Sequence, residues 1–276
     1  MNYKIIADSA ANLYELNDTP FSFVPLTVRC EGKEFIDTPA LNLDEMLSTL
    51  RATKESSSSS CPNMQNWLEA FGDAEEIYAV AITGGLSGSF NAAMQAKKEF
   101  EELHPSSKVH VIDTLSAGPE MALIVEEIAQ LKKEGLSFEE TVERITAYSQ
   151  STKLAFCLES VQNFARNGRI NPAVAKLVGV LGIRIVGRAS AEGTLEQKHL
   201  CRGAQKGLLA LHQEMKDRGF KGGAVRIHHC RNAHAAETLR DAILKEHPSC
   251  AIEIRPCGGL CSFYAEEGGL LVGYET

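Results

Sequence analysis

The feature that most constrains the fold is the alternation of short apolar runs with helical patterns in the first half of the chain. Residues 77–82 are continuously apolar, which is typical of a strand buried in a parallel sheet, and a helical pattern over residues 89–103 follows directly. Residues 3–7 and 109–112 are predicted to be similar strands, and residues 119–134 a further helix. Strands that alternate with helices predict βαβ units around a parallel sheet.

Local signals add three elements to this half. Residues 21–28 are predicted to form one strand. Asn42 is expected to start a helix, with Glu45 as its capping-box partner, and Ser137 with Glu140 forms a second capping box.

The second half mixes hairpins with helices and predicts a smaller α+β domain. We therefore expect an α/β fold with two domains, a parallel α/β domain over residues 1–152 and an α+β domain over residues 153–276. The predicted strands of this half are residues 154–157, 184–188, 194–200, 223–228, 251–256 and 270–274, and the predicted helices are a short one ending near Arg166, residues 204–218 and residues 234–246.

Composition excludes several classes of protein. A net charge of −8 without a basic stripe argues against a nucleic-acid binder and against a resting place on an anionic membrane. The longest apolar stretch, residues 177–186, is interrupted by Gly179, Gly182 and Arg184 and is too short to span a bilayer. The eight cysteines are scattered, and the chain begins without a signal-peptide pattern, so we expect a cytoplasmic protein with reduced thiols.

Two loops have the composition of an anion site. A serine tract that includes Ser59 and Ser60 precedes a predicted helix, and the turn Gly84–Ser89, with Ser87 and Gly88, joins the apolar strand to the next helix. Hydroxyl groups and free N–H groups at a helix start can hold an anion, with Ser87 and Ser89 as donors. The same patterns also fit a flexible linker and a plain tight turn capped by Ser89.

A third candidate is Arg169, which follows the helix-terminating glycine of the segment 167–170. Its guanidinium could clamp a carboxylate bidentately. The commoner fate of an arginine is a surface ion pair with a nearby acid.

Two rival functions are open at this point. Gly85-Leu86-Ser87-Gly88 resembles the start of a nucleophile elbow, which would make the protein a serine hydrolase of acyl esters with Ser87 as nucleophile and His228 or His229 as base. A metal or redox protein would use His229, Cys257 and Cys261, although the cysteine spacing is unusual for zinc. Phosphate-loop, dinucleotide-binding and metalloprotease motifs are missing, so we expect no cofactor and no metal.

Taken in order along nearly the whole chain, the motifs resemble those of the DegV family. The matching segments are residues 4–13, 24–28, 59–63, 85–93, 109–114, 167–170, 182–184 and 202–203. The family is bacterial and includes the fatty acid-binding subunits of fatty acid kinase. The resemblance implies a parallel α/β domain and a smaller α+β domain with an acyl chain between them.

The resemblance also implies roles for individual residues. By position, Ser59 and Ser87 match carboxylate-binding hydroxyl residues of the family, and Arg169 matches an arginine near the head group. Ser60 and Gly88 complete the implied ligand-binding set. The protein would then be a lipid-binding protein and not an enzyme. It would bind one long-chain fatty acid and present it to a partner kinase. The segment 255–260 lacks the histidine that kinase-associated members carry there.

Overall fold

The structure is a computed structural model that describes residues 2–53, 56–170 and 182–276, so that part of the apolar stretch 177–186 lies outside the described residues. The strands are β1 (Tyr3–Asp8), β2 (Phe21–Val24), β3 (Thr27–Cys30), β4 (Lys33–Ile36), β5 (Ser58–Ser60), β6 (Glu76–Ala81), β7 (Lys108–Asp113), β8 (Thr152–Leu158), β9 (Ile183–Ala189), β10 (Leu195–Arg202), β11 (Val225–His229), β12 (Ile252–Pro256) and β13 (Leu270–Glu275). The α-helices are α1 (Leu43–Ala52), α2 (Met64–Phe71), α3 (Ser89–Leu103), α4 (Pro119–Lys133), α5 (Phe138–Ser151), α6 (Gln162–Arg166), α7 (Ala204–Asp217), α8 (Ala233–Glu246) and α9 (Gly259–Ala265).

The first half contains the predicted parallel sheet, with strand order β2-β1-β6-β7. One face of the sheet packs against α4 and α5, and the opposite face packs against α2 and α3. Strand β6 is buried along its whole length because helices cover both of its faces. The carboxyl ends of these strands therefore form one edge, where the connecting loops can build a site.

The second half contains a mixed six-stranded sheet with strand order β10-β9-β8-β13-β11-β12. All pairs in this sheet are antiparallel except β11 with β12. Helices α7 and α8 cover one face, while α6 and α9 lie at the other. The predicted α/β fold, with a parallel sheet followed by a mixed sheet and helices, is confirmed.

Helix α4 joins the two sheets. Residues 118–125 are all buried, because α4 packs against the parallel sheet on one side and against β13 on the other. At Gly273 a side chain is impossible without movement, since a Cβ there would lie 2.4 Å from the backbone nitrogen of Glu120. This close approach places the two sheets on either side of one helix.

One predicted strand is wrong. Residues 21–28 form two strands in different sheets, β2 in the parallel sheet and β3 in a three-stranded antiparallel sheet of order β4-β3-β5. The chain breaks at Pro25, which has no N–H to donate, and the next N–H, that of Leu26, donates to the Ser9 hydroxyl at 3.0 Å.

Both helices with a predicted capping box begin directly after the predicted N-cap residue. Asn42 accepts from the Glu45 N–H at 3.1 Å, but the Glu45 carboxylate pairs with Lys33, so the predicted reciprocal box is half formed. The Ser137–Glu140 capping box is complete. No helix within residues 2–53, 56–170 and 182–276 has the length and apolar character needed to cross a bilayer.

Candidate functional site

A cavity of about 240 Å³ lies between the edge of the parallel sheet and the face of the second sheet that α6 and α9 flank. Its walls are mostly apolar side chains from both halves of the chain. The apolar lining consists of Leu26, Ile82, Leu86, Ala117, Leu154, Phe156, Leu158, Phe164, Leu195, Leu260, Ala265 and Leu271. The remaining lining residues are Ser59, Ser60, Cys61, Ser87, Gly88, Arg169, Cys261 and Tyr264.

Ser59 and Ser60 reach the cavity because the end of the serine tract, Ser58–Ser60, is a strand and not a flexible linker. β5 pairs antiparallel with β3, with Ser59 opposite Val28 and Ser60 opposite Thr27. The Ser59 hydroxyl lies 2.8 Å from the phenol oxygen of Tyr264 on α9. The tract is also tied to α6, since the Asn167 side-chain amide donates to the carbonyl oxygen of Ser57 at 3.2 Å.

Ser87 and Gly88 lie in the turn between β6 and α3. Thr83 organises this turn, because its carbonyl oxygen accepts from the N–H groups of Leu86 and Ser87, each at 3.2 Å. The Ser87 hydroxyl accepts from the Ser89 N–H at 3.3 Å, and its proton is free to point elsewhere. Gly88 is the N-cap of α3, so the first N–H groups of the helix start beside the cavity.

Ser89 does not take the role that the sequence suggests. It is fully buried and donates to the Asp8 carboxylate at 2.7 Å, so it neither faces a ligand nor caps the helix. Asp8 also accepts from the Ile82 N–H at 2.8 Å and thereby holds the ends of β1 and β6 and the start of α3 together. Burial raises the pKa of Asp8 to about 7, against the hydrogen bonds from Ile82, Ser89 and Ala10 that lower it.

Arg169 is placed by the end of α6. Gly168 has a φ of +68°, and the N–H of Arg169 donates to the carbonyl oxygen of Phe164 at 2.8 Å, which completes a Schellman motif. The guanidinium then crosses to the glycine-rich turn, where Nε donates to the carbonyl oxygen of Leu86 at 3.2 Å. Nη1 donates to the carbonyl oxygen of Asn167. Arg169 lines the cavity, and among the described residues no carboxylate lies within ion-pair distance of its guanidinium.

The structure thus brings all five sequence-predicted residues to one cavity. Three further residues with a hydroxyl or thiol group, Tyr264, Cys61 and Cys261, line it as well. Tyr264 was not predicted because α9 has only seven residues and begins with a glycine, which gives too little periodic signal. Cys61 is the one exposed cysteine of the eight, all of which are described.

The geometry does not support a serine hydrolase. Ser87 is not among the described residues with positive φ, whereas a nucleophile elbow strains its serine. His228 is fully buried and its Nδ1 lies 2.8 Å from the Asn12 side-chain amide, while Nδ1 of His229 accepts from the Asn232 N–H. No histidine is found among the described residues that line the cavity.

The proposed metal ligands are also engaged otherwise. Nδ1 of His229 is occupied by Asn232, and burial raises the pKa of the Cys257 and Cys261 thiols, which disfavours the thiolates that bind zinc. Over the part of the chain that the structure describes, no group of three or more histidine, cysteine or acidic side chains is arranged to hold a metal ion.

Known proteins match the chain along its whole length. A family model described as "Uncharacterised protein, DegV family" matches residues 2–276. A DegV domain-containing protein of Streptococcus pneumoniae is 46% identical over 279 aligned residues, covering 100% of this chain and 99% of the relative.

Two solved structures share the fold closely. The Streptococcus pneumoniae Fatty Acid Kinase (Fak) B3 protein, loaded with linoleic acid, matches with a TM-score of 0.98 and 46% identity over 100% of this chain and 99% of the other. A DegV family protein from Eubacterium eligens, loaded with heptadecanoic acid, matches with a TM-score of 0.97 and 42% identity over 99% of each chain.

Proposed function

Because this chain belongs to the DegV family, we propose that it binds one long-chain fatty acid in the cavity between the two sheets and presents the carboxylate to a partner kinase. The observation that carries the proposal is the composition of the cavity, which is apolar over most of its wall and has an arginine without an acidic partner among its few polar groups. A ligand with a long apolar chain and one negative charge complements such a cavity.

The carboxylate is bound by Ser59, Ser60, Ser87, Gly88 and Arg169. Ser59 and Ser60 approach from β5, Ser87 and Gly88 from the start of α3, and Arg169 from the end of α6. The helix start contributes N–H groups and a partial positive charge. Hydrogen bonds to a charged acceptor contribute about 1.5–3 kcal/mol each, so three or four of them fix the head group firmly.

The acyl chain lies along the apolar wall. Burial of about 14 methylene groups at about 0.8 kcal/mol each provides roughly 11 kcal/mol of gross driving force. Loss of translational and rotational freedom offsets about 4–15 kcal/mol of such gains on association. The head-group contacts are therefore needed for tight binding.

The two halves of the chain have different roles in binding the head group and the acyl chain. Residues 1–152 form a domain that supplies the hydroxyl groups of the head-group loops, and residues 153–276 form a domain that closes over the acyl chain. Support comes from the lining of the cavity, to which Ser59 and Ser87 belong on one side and Leu154, Phe156 and Leu271 on the other.

The chemistry belongs to the kinase and not to this chain. The kinase would transfer the γ-phosphoryl group of ATP to the bound carboxylate, giving an acyl phosphate and ADP. The observation that supports this assignment is that the similar Fak B3 protein is named as part of a fatty acid kinase. We further propose a cytoplasmic location and no binding of nucleic acid, in keeping with the net charge of −8.

Native mass spectrometry of the purified protein tests the binding. We expect a stoichiometric mass increment that is recovered as a C14–C18 fatty acid after denaturing extraction. A protein that shows only its own mass, and still does so after incubation with fatty acids, would contradict the proposal.

A trapping assay tests the kinase step separately. Loaded protein, a fatty acid kinase catalytic subunit and ATP should form an acyl phosphate that hydroxylamine converts to a hydroxamate, and omission of this chain should abolish the product. Fatty acid binding without hydroxamate would keep the carrier and reject the kinase partner.

A further inference from the structure

A tyrosine from α9 contacts one of the hydroxyl groups of the proposed head-group site. The phenol oxygen of Tyr264 lies 2.8 Å from Oγ of Ser59, and both residues line the cavity. The two residues are 205 positions apart. Ser59 belongs to β5 and Tyr264 to α9, so the contact joins the two halves of the chain at the polar groups of the cavity.

The ring of Tyr264 is held in place from two sides. It stacks on Phe164 with centroids 4.7 Å apart and an interplanar angle of 30°, and Phe263 meets it edge-on at 4.8 Å. The same Phe164 accepts, through its carbonyl oxygen, the N–H of Arg169. Tyr264 of α9 therefore packs against α6, the helix whose end places the guanidinium.

The start of α9 is also fixed. The buried Asp37 carboxylate accepts from the N–H groups of Gly259 and Leu260, at 2.6 and 3.0 Å. An anion at a helix N-terminus is favourably placed against the helix dipole. The phenol oxygen of Tyr264 thus has a defined position relative to Ser59.

The two hydroxyl protons of Tyr264 and Ser59 determine what the pair can offer a ligand. Each hydroxyl group carries one proton, and their mutual hydrogen bond uses one of the two. Either oxygen can be the donor at this distance, and a phenol is a stronger hydrogen-bond donor than an aliphatic hydroxyl group. When Tyr264 donates, the Ser59 proton is left over. A carboxylate accepts hydrogen bonds only, so Ser59 can donate to it only when the Ser59 proton is not used in the bond to Tyr264.

We propose that Tyr264 is a positioning residue of the head-group site, which turns the Ser59 hydroxyl proton towards the bound carboxylate and so favours a fatty acid over the corresponding alcohol. The inference rests on the proposed fatty acid binding. It predicts that removal of the phenol oxygen lowers the affinity for a ligand with a charged head group and hardly changes the affinity for a ligand with a neutral one.

Tyr264→Phe tests this role because it removes the oxygen and keeps the stacked ring. We expect oleate to bind roughly tenfold more weakly in a fluorescent-lipid displacement titration, as loss of one hydrogen bond to a charged group implies. Binding of oleyl alcohol should change less than about twofold. Tyr148→Phe, whose hydroxyl contacts Glu275 away from the cavity, is the matched control and should leave both affinities unchanged.

A second variant tests whether Tyr264 acts through Ser59. Ser59→Ala should weaken oleate binding at least as much as Tyr264→Phe, and Tyr264→Phe should add nothing in that background. Full additivity, or equal losses for oleate and oleyl alcohol, would overturn the positioning role. An affinity of Tyr264→Phe for oleate equal to that of wild type would also overturn it. If the wild-type protein itself binds no oleate, the proposed function is overturned instead.

Discussion

Three side chains from separate elements, Ser59, Ser87 and Arg169, carry most of the proposed carboxylate recognition, and none of them is fully buried. Their positions depend on residues that never face the cavity, such as Asp8 and Gly168. The sequence predicts the three residues because they stand in recognisable motifs. It does not predict that Ser89, two positions from Ser87, turns inward to Asp8, because that choice depends on a contact 81 positions away.

Ser87→Ala should weaken fatty acid binding by about 1–3 kcal/mol, because it removes one donor to a charged acceptor. A displacement titration measures the change. Ser106→Ala, at an exposed position between α3 and β7, is the control and should bind as wild type does. Equal affinities for Ser87→Ala and wild type would remove Ser87 from the site.

Cys61 offers a reporter of occupancy, since it is the one exposed cysteine and lines the cavity. A Cβ on Gly88 would lie 3.2 Å from its sulfur, so the thiol is close to the start of α3. We expect a maleimide to label Cys61 first and saturating oleate to slow the labelling, as peptide mapping by mass spectrometry would show. Labelling at the same rate with and without oleate would argue that the ligand lies elsewhere.

At the scale of elements, prediction from sequence works where a segment is long and its environment uniform. Strand β6, a continuous apolar run, and helices α3 and α4, with 15 residues each, give clear signals in the sequence. Strand β4, with four residues, and helix α9, with seven, do not. β5 is a further case, because three serines form a strand only where β3 provides the backbone partners.

Asp8 couples three elements and should give the protein a specific pH dependence. Its pKa of about 7 in the folded state is above the ordinary value of 3.8, so the folded protein binds more protons than the unfolded chain between about pH 4 and pH 7. The contribution of Asp8 to the free energy of unfolding should therefore fall as the pH rises through this range and level off above it.

Urea unfolding of wild type and Asp8→Asn at several pH values measures this contribution. The stability of wild type relative to Asp8→Asn should decrease from pH 5 to pH 8. Asp73→Asn, at an exposed position, should follow wild type at every pH. A relative stability that is constant or rises with pH would show that Asp8 is ionised throughout.

At the scale of the whole molecule, the cavity is lined by both halves of the chain, so a ligand there would stabilise the fold as a unit. A ligand that binds only the folded state adds about 2.7 kcal/mol at a concentration one hundred times its Kd. We expect saturating oleate to raise the Tm by several degrees in a thermal unfolding scan, and the same concentration to raise the Tm of Ser87→Ala less. An unchanged wild-type Tm would contradict binding to the folded protein.

Helix α4, buried on both sides, has a consequence for dividing the gene. If residues 1–152 were produced alone, the face of α4 that packs against β13 would be exposed to water, together with the apolar side chains that surround it. Such a surface favours aggregation. The two halves can therefore be separated in the sequence but not in solution. Recombination between relatives at residue 152 should succeed only when the relative that supplies the second half has glycine at position 273, because a Cβ there would meet the backbone of Pro119 and Glu120.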